Sequence, residues 1–152
     1  MKKKVSWLLY SIIFFVVVII DRLTKAWALM LPVNGMRINQ FLSFDLVFNR
    51  GISLGLLSSQ DTVMFIAVSA IIICITGMLI WYTYIVYKKE KLIIGHILAL
   101  AGAFSNIVDR FIFNGVIDFI MLSFRKWSWP VFNVADISVV CGVFIMLFWY
   151  RK

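Results

Sequence analysis

The chain has 152 residues, 63% of them hydrophobic and 14% charged, with a formal net charge of +8. A soluble domain of this length is about half apolar, and here the excess lies in long uninterrupted runs, the mark of bilayer-spanning segments. That excludes an ordinary soluble domain and leaves one compact membrane domain over residues 1–152. The basic residues flank the runs, so they read as topology signals and set nucleic acid aside as a partner.

Lys2, Lys3 and Lys4 precede the first apolar run. The start resembles a secretory signal peptide ending at Ala26-Trp27-Ala28. However, Asp21, Arg22 and Lys25 break the run before that point, and further apolar runs follow. The segment therefore reads as an uncleaved first span, about residues 5–29. At ~1.5 Å per residue, Asp21 lies roughly 24 Å beyond Val5, near the far edge of the hydrocarbon layer.

Residues 32–61 differ in character. Pro32 and Asn34-Gly35 are turn formers. From Leu42 to Asn49 the residues alternate, with Leu42, Phe44, Leu46 and Phe48 on one face and Ser43, Asp45, Val47 and Asn49 on the other. This predicts a small antiparallel sheet on the outer surface.

Span two is expected over about 63–87, with Trp81, Tyr82, Tyr84 and Tyr87 as an interfacial belt. Lys88, Lys89 and Lys91 follow, and Arg151 and Lys152 close the chain. With the N-terminal lysines, they place both termini and the 88–91 loop in the cytoplasm. Anionic lipid headgroups are a secondary reading of these charges. Span three covers about 92–111. Asn114-Gly115 predicts a hairpin-like turn, followed by a short apolar stretch through Asp118. Arg125, Lys126, Trp127, Trp129 and Pro130 mark an interfacial loop, and span four covers about 131–150. The expected fold is thus an integral membrane, mainly α, four-transmembrane-helix bundle with a small outer β-sheet. Cys74 and Cys141 fall inside apolar runs, with no metal-ligand spacing and no obvious disulfide.

Ionisable groups inside a membrane are costly and usually mark function. Of seven acidic residues, Asp21, Asp109, Asp118 and Asp136 fall at or near outer span ends, whereas Asp45, Asp61 and Glu90 lie in strand or loop regions. Gly95, Ala99, Gly102, Asn106 and Asp109 share one helical face, small residues first and polar ones outward; small residues let helices approach closely. Asn133 and Asp136 share a face, and Asp21 and Lys25 can pair across one turn. Two carboxylates held close share one proton, so one can deprotonate water while the other protonates a leaving amine. The sole histidine, His96, is far from the aspartates and reads as a packing residue, which argues against a Ser-His-Asp arrangement or a histidine metal site. Spacing alone leaves three readings open: a catalytic dyad, a proton relay in a small proton-coupled transporter, and structural ion pairs involving Lys25, Arg22 or Arg110. A non-enzymatic assembly factor is a further class.

The residues also resemble a family, the lipoprotein signal peptidases (signal peptidase II), along nearly the whole chain. Asp21-Arg22-Leu23-Thr24-Lys25 resembles its D-x-x-T-K. Asn49-Arg50-Gly51 with Gly55-Leu56-Leu57 resembles N-x-G-x-A-F-G-L-L, and Gly102-Ala103 with Asn106-Ile107-Val108-Asp109-Arg110 resembles G-A-x-G-N-x-x-D-R. Val116-Ile117-Asp118-Phe119 resembles V-V-D-F. Phe132-Asn133-Val134-Ala135-Asp136 with Gly142 resembles F-N-x-A-D-x-x-x-x-x-G. Ser53 and Leu54 depart from the second motif, and Ser105 stands where the third has glycine.

The resemblance implies an aspartyl endopeptidase of the bacterial cytoplasmic membrane, needing no cofactor or metal. It would act as a monomer among membrane lipids. Its partners would be lipidated prolipoprotein signal peptides, cut just before the diacylglyceryl-modified cysteine. It implies Asp118 and Asp136 as the catalytic pair, where helical spacing favours Asp109 as readily as Asp118. Asn106, Asp109, Arg110 and Asn133 would support the pair, Asp21 and Lys25 would hold helix ends, and Asn49 and Gly51 would face substrate.

Overall fold

The computed structural model describes residues 7–51, 61–89, 91–125 and 127–148. The terminal basic clusters, Glu90, Lys126, and the motif residues Ser53, Leu54 and Gly55-Leu56-Leu57 lie outside the described residues. Four helices and four strands follow in the order α1 (Trp7–Ala28), β1 (Met36–Arg37), β2 (Leu42–Asn49), α2 (Thr62–Lys88), α3 (Ile94–Phe113), β3 (Val116–Phe124), β4 (Trp127–Ser128), α4 (Val134–Phe148). Helices α1, α2 and α3 are long and apolar enough to cross a membrane, whereas α4 is apolar but shorter over its described length.

The helix ends have local causes. The Asp61 side chain accepts from the Val63 N–H at 2.8 Å and caps α2, satisfying one of the orphan donors of its first turn. Asn133 does the same for α4, its Oδ1 accepting from the Asp136 N–H at 2.8 Å, so that helix begins at Val134 and not at Val131. Helix α3 stops at Asn114, which adopts the left-handed conformation (φ 52°) that asparagine tolerates better than most residues.

Asn114-Gly115 therefore ends a helix; it does not close a hairpin as the dipeptide suggests. The chain passes directly into β3, and this corrects the expected confinement of the sheet to residues 32–61. The sheet has order β1-β2-β3-β4 and all its pairs are antiparallel. Residues 116–119 are all buried, so β3 is covered on both faces. Such a strand lacks the polar alternation by which a half-exposed one is recognised. The tight turn lies instead between β3 and β4, where Arg125 has φ 57°.

A register shift between Phe44 and Val47 corrects a second expectation. Ser43 pairs with Met121, whereas Asn49 pairs with Val116. Those partners are an odd number of residues apart on β3, so Ser43 and Asn49 face opposite sides of the sheet. The bulge inserts one residue and re-aims the end of β2, bringing Val47 and Asn49 onto the face of Asp118.

Helix α3 is the axis of the bundle. Its small-residue face packs on α4 as the spacing predicts: Gly95 lies against Gly142 and Ile145, and Gly102 against Ala135 and Val139. Tyr10, Val86, Ile93 and Ile97 fill the bundle at the end remote from the sheet. Ala28, Ile117 and Phe119 form a second cluster beneath the sheet, joined by Leu31, Phe44 and Leu46. Trp27 meets Phe44 and Phe119 edge-on there, with ring centroids 5.0 and 6.0 Å apart. His96 is buried beside the Tyr82 ring. Cys74 and Cys141 are free thiols on exposed helix faces.

Candidate active site

Helix α1 contributes a polar turn at its sheet end, with Asp21 and Lys25 fully buried and Arg22 part-buried at its rim. Asp21 and Lys25 pair at 2.7 Å across one helical turn, as their spacing predicts. Lys25 also reaches Asp109 Oδ2 at 2.8 Å, and Arg22 contacts Asp109 at 2.7 Å and Asp21 at 3.2 Å. The two carboxylates and two cations balance in charge, which is what burial demands. Backbone and hydroxyl donors complete the set. The Ala135 N–H donates to Asp21 at 2.8 Å, the Ser105 hydroxyl donates to Asp21 at 2.6 Å, and the Ile117 N–H donates to Asp109 at 3.2 Å. The cluster thus ties α1 to α3, α4 and β3 at once. Ser105, visible in the sequence only as a departure from a motif, gains a structural role that helical spacing did not suggest.

Beside this cluster lies a second polar group. Asp118, on β3, is 1% exposed. Its two oxygens accept from Asn133 Nδ2 at 2.6 Å and Asn49 Nδ2 at 2.9 Å. Asp136, in the first turn of α4, accepts from Asn106 Nδ2 at 2.9 Å. Asn106 Oδ1 in turn accepts from Lys25 Nζ at 2.8 Å and from Asn133 Nδ2 at 3.2 Å. Asn106 and Asn133 therefore link the two carboxylates to each other and to the ion-pair cluster, and Asn49 holds Asp118 from the end of β2. Burial pushes the Asp118 carboxyl up from 3.8 to about 7, and the neighbouring Asp136 charge pushes the same way. The Asn49 and Asn133 amides and the Lys25 charge act against it.

Both carboxylates line a cavity of about 270 Å³ whose walls are mainly apolar. Ile72, Ile75, Thr76 and Leu79 of α2 form one wall, and Ala99 and Ala103 of α3 with Val139 and Val143 of α4 form the other. Asn49, Asn106 and Arg110 complete the polar end. Arg110 does not pair with Asp109. It donates to the Gly51 carbonyl and, at 3.5 Å, to that of Arg50, while the Gly51 N–H donates to Asn49 Oδ1 at 2.9 Å. Arg110 and Gly51 thus hold the end of β2 over the cavity. All ten residues singled out in the sequence fall in one connected network: Asp21, Lys25, Asn49, Gly51, Asn106, Asp109, Arg110, Asp118, Asn133 and Asp136. Within it Asp109 is ion-paired away from the cavity, whereas Asp118 and Asp136 border it. The α2 wall is not legible in the sequence, because apolar residues on a spanning helix look alike whether they face lipid or a cavity.

Buried carboxylates and amides at the end of an apolar cavity, with three helices among the described residues suited to crossing a membrane, define a multi-pass membrane protein with an enzyme-like polar site. The chain belongs to the signal peptidase II family, whose model, described as "Signal peptidase (SPase) II", matches residues 13–151. It is 35% identical over 148 residues to a lipoprotein signal peptidase of Pelagibacter ubique, covering 93% of this chain and 87% of the relative. It is 34% identical over 144 residues to one of Thermodesulfovibrio yellowstonii, covering 93% and 92%. Among solved structures, a bacterial membrane enzyme determined at 1.9 Å superposes with a TM-score of 0.77 at 26% identity, covering 100% of this chain and 98% of the other.

Proposed function

We propose that this protein is a membrane aspartyl endopeptidase that removes signal peptides from diacylglyceryl-modified bacterial prolipoproteins, cutting just before the lipidated cysteine. Asp118 and Asp136 are the catalytic pair. The observation that carries this reading is their position: both border one apolar cavity, and Asp118 is held near the protonation midpoint at neutral pH by burial and its partner. Membership of the signal peptidase II family supports it. The curated relatives' shared name, lipoprotein signal peptidase, supplies the substrate class.

The two carboxyls share one proton and titrate as a pair. The ionised one takes a proton from water as the oxygen attacks the scissile carbonyl carbon. The protonated one gives its proton to the leaving nitrogen as the C–N bond breaks. The products are a signal peptide ending in a carboxylate and a lipidated cysteine with a new α-amine. Asn49 and Asn133 hold Asp118, Asn106 holds Asp136, and Arg110 and Gly51 position the strand above.

The substrate is itself a membrane-spanning segment, so an apolar cavity between α2, α3 and α4 suits its signal helix while the acyl chains stay in lipid. In this reading the whole chain is one domain of four spans. The sheet and the active site lie at the outer face of the bacterial cytoplasmic membrane, both termini are cytoplasmic, and the monomer is active.

The test is cleavage of a purified lipidated precursor by wild type and by the Asp109→Asn, Asp118→Asn and Asp136→Asn variants, each checked for membrane insertion. The Asp118 and Asp136 variants should lose at least about 10³-fold in rate, in keeping with loss of a general acid–base group. Wild-type processing by Asp118→Asn would move the role to Asp109. A precursor left uncut by wild type, with substrate-driven proton flux in vesicles, would favour a transporter.

A further inference from the structure

An asparagine amide is nearly symmetric in shape, and its oxygen and nitrogen ends are told apart by their partners. Each asparagine in this site faces a group that can only donate. The Gly51 N–H meets Asn49 Oδ1 at 2.9 Å, and the Asp136 N–H meets Asn133 Oδ1 at 2.8 Å. Those two are backbone donors. For Asn106 the donor is a side chain, the Lys25 ammonium, 2.8 Å from Oδ1. With the oxygen end held there, Nδ2 is the end that lies 2.9 Å from Asp136 Oδ1.

We infer that Lys25 is a positioning residue for the reaction: its ammonium fixes the Asn106 amide so that Asn106 presents an N–H, and not a carbonyl, to Asp136. This rests on the reading of Asp118 and Asp136 as the reacting pair. Lys25 is suited to the task. It is 1% exposed, and its three N–H groups meet Asp21 at 2.7 Å, Asp109 at 2.8 Å and Asn106 at 2.8 Å. An ammonium has no acceptor to offer, so it cannot tolerate the reversed amide. The other group on Asn106 Oδ1 is Asn133 Nδ2, at the longer 3.2 Å. That nitrogen has two hydrogens and also faces Asp118 Oδ1 at 2.6 Å and the Ile117 carbonyl at 3.2 Å. It cannot hold Asn106 alone. Without Lys25 the amide is able to turn whenever Asp136 carries the pair's proton, its carbonyl then accepting from the Asp136 hydroxyl in place of the N–H that now lies 2.9 Å from Oδ1. The ion-pair cluster on α1 is thereby connected to the chemistry through one side chain.

The test is a double-mutant cycle on purified protein with a lipidated precursor, reading kcat and KM for Lys25→Met, Asn106→Ala and the double variant. If Lys25 acts through Asn106, each single change lowers kcat by about 10- to 100-fold, the range expected of a misplaced catalytic group. KM stays within about twofold, and the double variant is no slower than Asn106→Ala. Losses that multiply in the double variant overturn the inference. Lys25→Met also leaves Asp21 and Asp109 with one cation fewer, so Lys25→Met combined with Asp109→Asn restores charge balance without restoring the lock. That pair should stay as slow as Lys25→Met, and recovery of wild-type kcat would reduce Lys25 to a counter-ion. Should Lys25→Met fail to fold, the charge-balanced variant runs the same cycle. Asp136→Asn is the control that separates the two readings. If it is active, the pair itself is wrongly assigned; if it is inactive while the losses multiply, only the role of Lys25 falls.

Discussion

At the scale of the residue, Asp118 carries a pH signature that can be measured apart from catalysis. Burial raises its carboxyl to about 7 in the folded protein, against 3.8 for the free side chain. Between those values the folded state binds the proton more tightly than the unfolded state does. Stability from this group is therefore greatest in acid and falls as pH rises through about 7. One pKa unit corresponds to about 1.4 kcal/mol, so the full fall is worth a few kcal/mol. Asp118→Asn cannot titrate. The wild-type melting temperature should drop relative to that variant as pH is taken from 5 to 8 in detergent. A constant difference across that range would show that Asp118 is not held protonated by its surroundings. The sequence reveals that carboxylates gather here, because charged residues stand out in apolar runs. It does not separate Asp118 from Asp109. Both lie near the end of one span, and what distinguishes them is that Arg22 and Lys25, distant from Asp109 in sequence, neutralise it.

At the scale of the element, the position of Asp136 depends on how closely α4 approaches α3. A Cβ added at Gly142 would lie 2.5 Å from the Gly95 carbonyl oxygen and 2.6 Å from the Ala99 nitrogen. Both are backbone atoms and cannot move aside without shifting a helix. Gly77 in α2 has open space around its Cα. Gly142→Ala should therefore lower thermal stability by about 1–3 kcal/mol, as overpacking does, and reduce activity by displacing Asp136. Gly77→Ala should be neutral or stabilising, within about 1 kcal/mol. Thermal melts of the two variants side by side decide the matter, and equal effects would show that the α3–α4 contact is not tight. This face was legible in the sequence because small residues recur at helical spacing. Strand β3 was not, because a strand buried on both faces shows no alternation, and the bulge in β2 leaves no mark in the pattern of residues 42–49.

At the scale of the whole molecule, α2 is, among the described residues, the helix least integrated with the rest: its main packing contacts are with α3. One of its faces closes the cavity. Ile72, Ile75, Thr76 and Leu79 recur at three- and four-residue intervals and line the space that Asp118 and Asp136 border. If the signal helix of the precursor occupies this space, its fit depends on that wall and its cleavage on the polar end. The two effects should then separate in the kinetics. Thr76→Trp places an indole in the cavity without touching the carboxylates or their asparagines. It should raise KM by about tenfold or more while leaving kcat at saturating precursor largely intact, the pattern of lost uniform binding. Cys74→Trp puts the same ring on the exposed face of the same helix and should leave both constants near wild type. An unchanged KM for Thr76→Trp would mean that the signal helix does not bind against this wall. A fall in kcat alone would mean that the wall shapes the reacting geometry and not the binding of the signal helix.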